Sequence, residues 1–243
     1  LDIHDDSALV MSKVTKNKYL LNVISYIENS IALKVPNKLM TVNSLLSKAI
    51  GEITGKEILL LHNSPQSITD ECTYNYQPGD PVKLVYIGHL GAHYGLEKFL
   101  EYIYKIKNKV PLTFDIYGDG NVREKLEVLI KEYALEESVR LHGRFLARNV
   151  SEILTKYDLG VALYDKTELT DVILPVKILE YTFNCLPSLT LPLNVTQEYF
   201  QQGSLIYVES FEDFEKSIES VFSGCLELPA LHRRAMDDVL DIS

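Results

Sequence analysis

The sequence predicts an α/β protein in which a doubly wound parallel sheet follows the latter part of a second Rossmann-like unit. Three observations carry that prediction. From Pro81 onward, strand-like apolar runs alternate with amphipathic stretches, the pattern of parallel β-α units. The roughly 80 residues ahead of them hold two clear strands and a helical stretch, too few for a complete sheet of this kind, whose domains run to about 100–200 residues. The 243 residues, 46% hydrophobic and 24% charged, have an ordinary globular composition with length for more than one core.

In chain order, "LDIHDD" reads as the end of a strand entering a loop, and a long helical stretch spans about 18–34. "KLMTVNS" and "EILLLHN" are strands, and "CTYNYQPGDP", rich in turn formers and without periodicity, is a linker. Six strands follow: "VKLVYIG", "LTFDIYG", "VRLHGR", "LGVALY", "PSLTL" and "LIYVE". Between them, "LEKFLEYIYKIK", "REKLEVLIKEYAL" and "SEILTKY" place apolar residues three and four apart, as helices packed on a sheet do. The tail forms a final helix after a turn at Pro229. The expected organisation is a partial first domain over 1–78, a nucleotide-binding domain over 79–225 and a terminal helix over 226–243.

A net charge of −10 and a pI near 5.1 argue against nucleic acid, since phosphate neutralisation needs a basic stripe. Cys72, Cys185 and Cys225 lie too far apart in sequence for a chelating or redox pair, so reduced thiols, no structural metal and a cytoplasmic location are expected. No apolar run approaches the roughly 18 residues of a spanning helix. The chain begins at Leu1, and a missing upstream segment is expected.

Ligands of an open parallel sheet bind at the carboxyl ends of its strands. There the sequence places "GHLGAHYG", with Gly88, His89 and His93, and "YGDGN", with Gly118 and Gly120. Glycines let backbone amides approach an anion, and the following helix adds its positive end. The plain alternative is a pair of tight turns. In "DVILPVKILEY", Pro175 suits a first helical turn and Asp171 a cap. Lys177 and Glu180 then share a face, suiting a diphosphate and vicinal ribose hydroxyls; the alternative is an i,i+3 surface ion pair of little worth.

The run "VYIGHLGAHYGLEKFLE … FDIYGDGNVREKLEVLIKEYALEESVRLHGRF … LPVKILEYTFNCLPSLT" resembles the carboxy-terminal, donor-binding domain of the family 4 glycosyltransferases of GT-B fold. "DIHDD", "LMTVNSLL" and "ILLLHNSP" are similar to the latter half of that family's first domain. The resemblance implies a retaining transferase that takes a sugar from a UDP- or GDP-sugar to an envelope or lipid-linked glycan, with no cofactor and no metal. It implies that Glu180 holds the ribose, that Lys177 belongs to a P-x-K-x-x-E-Y variant, and that His4 touches the transferred sugar. His89 and Tyr94 stand where the family carries its diphosphate arginine and lysine, and Val172 stands where it carries a second glutamate, with only Glu168 and Asp171 nearby, so that Asp171 is also counted among the substrate-binding residues. His89, His93 and Lys177 are the available compensating cations. The family's amino-terminal acceptor loop has no counterpart, so a partner subunit and a non-catalytic binding role are the competing expectations, with peripheral membrane contact open.

Overall fold

The computed structural model describes residues 2–3, 38–42, 44–61, 72–167, 170–171 and 174–242. The long helical stretch expected over 18–34, and His4, lie outside them. The chain divides into two compact units. The first comprises 1–63, 166–174 and 193–195, and the second 64–165, 175–192 and 196–243.

In the first unit, strands β1 (Asp2–Ile3), β2 (Leu39–Thr41) and β3 (Ile58–Leu60) form a parallel sheet in the order β1-β2-β3. Helix α1 (Ser44–Thr54), for which the sequence reading named no element, carries the chain from β2 to β3. Parallel neighbours need such a crossover, and its Leu46 and Ile50 pack with Leu39 of β2 and Ile58 of β3.

The second unit contains all six strands read from the sequence: β4 (Val82–Ile87), β5 (Leu112–Tyr117), β6 (Val139–Gly143), β7 (Leu159–Ala162), β8 (Ser188–Thr190) and β9 (Ile206–Tyr207). Every pairing among them is parallel, and the spatial order is β6-β5-β4-β7-β8-β9. The chain therefore winds outward from β4 in one direction, returns, and winds outward in the other. The turning point of this topology is the junction of β4 and β7, where a doubly wound sheet opens a crevice. Helices α2 (Leu96–Ile106), α3 (Arg123–Glu132), α4 (Val150–Leu154), α5 (Val176–Phe183), α6 (Asn194–Tyr199) and α7 (Phe211–Phe222) connect and cover the strands, and α8 (Leu228–Ile242) closes the chain. Helix α8 begins ahead of Pro229, which sits in its first turn, where a missing N–H costs nothing.

Phe99 of α2 lies at the centre of the core, edge-on to Phe114 of β5 at 4.9 Å and to Phe214 of α7 at 5.1 Å. Ser210 and Asp213 start α7 with a reciprocal capping box.

The expectation of three reduced thiols is corrected. Cys72 and Cys185, 113 positions apart, form a disulfide with Cα atoms 5.3 Å apart, and Cys225 is free and exposed. Separation along the chain did not measure separation in space: the turn after α5, with Cys185 at φ 62°, returns the chain to the coil that leads into β4. Among the described residues, no helix is long and apolar enough to cross a membrane.

Candidate active site

Helix α5 is set by Tyr181, which is fully buried. Its hydroxyl receives the Ile87 N–H at 3.2 Å and donates to the Val161 carbonyl, also at 3.2 Å. One phenol thus pins the helix to the carboxyl ends of β4 and β7, the turning point of the sheet. One turn earlier on the same face stands Lys177.

Lys177 is not half of a surface ion pair. Its Nζ lies 5.1, 4.3 and 5.4 Å from the ring centres of Tyr86, Tyr94 and Tyr164, and donates to the Tyr164 hydroxyl at 3.3 Å. Aromatic faces attract a cation without neutralising it, at about 0.5–2 kcal/mol each. Burial lowers the Lys177 pKa from 10.5 to about 8, and the Glu180 carboxylate opposes that shift. Burial also raises the Glu180 carboxyl above its usual range, with Lys177 pulling the other way. Among the described residues, no hydrogen-bond donor reaches the Glu180 carboxylate, although Asn184 donates to its backbone carbonyl at 2.7 Å.

The loops after β4 and β5 press together in front of this pair. Gly88 has φ 132°, and a β-carbon there would lie 2.7 Å from Lys177 Cε. Gly118 has φ 144°, and a β-carbon there would lie 1.8 Å from the Gly88 carbonyl oxygen. A side chain at Gly118 would run into backbone and one at Gly88 into the end of the Lys177 side chain, and both positions hold a positive φ that favours glycine. Four amides that the glycine-loop reading would have offered to an anion are used internally. Gly88 N–H goes to Tyr117 O, Leu90 to Asp119 O, Gly118 to Gly143 O and Gly120 to the Asp119 side chain.

In front of these loops opens a groove of about 660 Å³ lined by Gly88, His89, Gly118, Asp119, Gly120, Arg144 and Phe145. Arg144, at the carboxyl end of β6, reaches Asp119 at 2.9 Å and remains 85% exposed. That interaction and the Gly120 amide hold the Asp119 carboxyl below its usual range. The groove therefore brings together an arginine, an imidazole and the edge of a lysine cage, with one carboxylate as counterweight. Such a set suits an anion carried by a polar body.

Of the residues singled out from sequence, Gly88, His89, Lys177 and Glu180 fall at the carboxyl end of the sheet. His93 sits in a single 3₁₀ turn over Ala92–Tyr94, outside the groove lining, and its described contact is its carbonyl accepting the Asp165 N–H. Asp171 does not cap α5, and the expectation that it would is corrected. The N-cap is Pro175, whose extended ψ of 115° starts the helix without a side-chain cap. Asp171 instead accepts hydrogen bonds from the Asn194 backbone N–H at 2.8 Å and from its side-chain amide at 2.5 Å, at the start of α6. Arg144 and the three cage tyrosines were not singled out. Arg144, as the last residue of "VRLHGR" at a strand's carboxyl end, carried a usable signal, whereas tyrosines at 86, 94 and 164 share no spacing.

Compared with known proteins, the family described as "Glycosyl transferases group 1" matches residues 75–234. No curated relative matches the chain. Among solved structures, the chain is similar to WaaG, a glycosyltransferase involved in lipopolysaccharide biosynthesis, at 14% identity and TM-score 0.69, covering 97% of this chain and 69% of that one. It is also similar to a variant of S. aureus TarM in complex with fondaparinux, α-GlcNAc-glycerol and UDP, at 15% identity and TM-score 0.68, covering 92% and 43%. A third similarity is to the GtfA/B complex, at 18% identity and TM-score 0.58, covering 89% and 47%. These likenesses show the GT-B fold. The chain spans under half of the TarM and GtfA/B chains that it matches.

Proposed function

The chain belongs to the group 1 glycosyl transferases, and from that premise we propose that its second unit binds the nucleotide half of a nucleotide-sugar donor for retaining transfer to an envelope or lipid-linked glycan. The observation that carries the reading is Lys177. An ammonium held among three tyrosines at the turning point of a doubly wound sheet, with burial lowering its pKa to about 8, marks a functional site of the kind that binds an anion.

In this reading the diphosphate lies along the groove, with Lys177, His89 and Arg144 on its charge. The ribose hydroxyls donate to the Glu180 carboxylate, which lacks other donors among the described residues. Lys177 takes over from the arginine and lysine that the family resemblance expects at His89 and Tyr94. Catalysis is electrostatic: cations stabilise the charge that develops as the sugar–phosphate bond breaks. The acceptor hydroxyl attacks from the face the diphosphate leaves, its proton passes to the leaving phosphate, and no side chain serves as nucleophile. His4 is assigned to the transferred sugar by resemblance alone, and no metal is invoked. The assignment to family 4, a cytoplasmic location and peripheral contact with a membrane belong to the same proposal. The UDP in the TarM complex and the role of WaaG in lipopolysaccharide biosynthesis support this choice of donor and acceptor class.

Calorimetric titration of the chain with UDP, GDP and their sugars tests it. Binding of one nucleotide, lost in Glu180→Ala, supports the assignment; a Glu180→Ala variant that binds as tightly as the parent sinks the ribose role. A second reading, a non-catalytic subunit of a two-chain transferase, is favoured by the likeness to the GtfA/B complex. It gains ground if the nucleotide binds while sugar transfer appears only on adding another chain.

A further inference from the structure

Cys72, Cys185 and His232 come from three distant segments: the coil leading into β4, the turn after α5, and the first half of α8. One donor atom from each lies within 4.8 Å of the others. His232 is 4% exposed, and its Nε2 stands 2.8 Å from the Thr182 carbonyl oxygen. A carbonyl only accepts, so Nε2 carries the proton and Nδ1 presents its lone pair. That lone pair faces Cys72 Sγ at 4.0 Å and the Tyr74 hydroxyl at 2.5 Å. Metal-binding histidines are held in this manner, the second nitrogen donating to a backbone carbonyl that fixes ring and tautomer. A disulfide by itself needs no imidazole nitrogen beside the Cys72 sulfur.

We propose that the reduced form of this cluster is a zinc site, with Cys72 Sγ, Cys185 Sγ and His232 Nδ1 as ligands. A dithiol reductant supplies two electrons and two protons to the Cys72–Cys185 bond and leaves as its own disulfide. Binding of Zn²⁺ then releases the two thiol protons. Two thiolates and one imidazole are a zinc donor set, with bonds of about 2.3 and 2.0 Å. The fourth position faces a cleft of about 320 Å³ lined by Tyr74, Asp158, Asn184 and Cys185 among others, which admits water or the Tyr74 hydroxyl. The cleft also touches Pro81 and Lys83, at the amino end of β4, so it lies across the sheet from the donor groove. The metal would tie the incoming coil, the α5–β8 turn and α8 together, and would take no part in sugar transfer.

The test uses the full chain, purified under a dithiol reductant and dialysed against Zn²⁺ or Co²⁺. Metal is measured by mass spectrometry, and thiols by alkylation and intact mass. About one equivalent of zinc per chain is expected, with a thiolate-to-cobalt charge-transfer band in the Co²⁺ form. Cys225→Ser leaves both unchanged, whereas Cys72→Ser and His232→Gln weaken binding by more than about 100-fold, beyond the loss typical of an outer-shell contact. Cys72 is exposed and in coil, so its variant keeps the fold and carries the result if His232→Gln does not. A reduced, folded chain that takes up no metal, or a Cys72–Cys185 bond that withstands reductant, overturns the proposal and leaves a structural disulfide.

Discussion

The end of the Lys177 side chain fills the space that a side chain on Gly88 would need: a β-carbon there would stand 3.1 Å from Nζ and 2.7 Å from Cε. The absent side chain is what lets the lysine reach the carboxyl end of β4. Gly88→Ala therefore displaces the lysine and forces alanine into φ 132°. Strain of this kind costs about 1–3 kcal/mol. Urea unfolding is expected to show that loss, and calorimetry a weaker nucleotide affinity; an alanine variant matching the parent in both would dissolve the relationship.

Lys177→Met keeps the length of the side chain and discards its charge. Loss of a charged hydrogen bond to phosphate, about 1.5–3 kcal/mol, predicts nucleotide binding roughly 10- to 100-fold weaker. Stability near neutral pH should be unchanged or higher, because a buried ammonium no longer has to be desolvated.

The same lysine predicts a pH dependence. Its folded pKa of about 8 lies below its ordinary 10.5, so between those values the unfolded chain holds more protons than the folded one. Stability from this residue therefore rises with pH across that window, by roughly 3 kcal/mol in all. Nucleotide affinity falls as pH rises through about 8 and the cation is lost. Urea midpoints of parent and Lys177→Met, compared from pH 7 to pH 10, should converge; parallel curves would contradict the assignment.

Glu180 sets the acid side. Its carboxyl is raised above the usual 4.5, so on acidification it takes up a proton sooner in the folded chain than in the unfolded one. Its own contribution to stability is thus present at low pH and lost as pH rises through that raised value. Nucleotide affinity runs the opposite way, falling as the carboxylate is protonated. Glu180→Gln should flatten this acid limb while leaving the alkaline limb of Lys177 in place, which titrations at several pH values would show.

Phe99→Ala tests the core rather than the crevice. With Phe114 and Phe214 both edge-on to it, the cavity has few routes to collapse, and a loss of about 3–5 kcal/mol in denaturant unfolding is expected.

The six strands of the second unit were legible because a sheet covered on both faces writes each strand as a short, nearly continuous apolar run. Their order was not, since β4 and β7 carry no mark of adjacency. Lys177 and Glu180 were visible as a pair on one face of α5, yet the residues that decide their charges were not: Tyr86, Tyr94 and Tyr164 converge only through the tertiary fold. Asp171 was misread because a cap is recognised in sequence by proximity, and Asn194, its partner, lies 23 positions downstream. Cys72 and Cys185 failed for the same reason over a longer span. Helix α1 went unnamed because Gly51 interrupts its apolar spacing.

The placement of β4 between β5 and β7 also bears on how the chain is made. Leu84 pairs with Leu159, 75 residues later, so β4 has a vacant flank until that later segment leaves the ribosome. At about 5–20 residues per second this interval lasts roughly 4–15 s. During it, the backbone groups on one side of a strand that is apolar but for Lys83 await their partners. The second unit therefore cannot complete its centre while it is being synthesised until Leu159 is out, and that wait is the period in which a holding chaperone would have the most to protect.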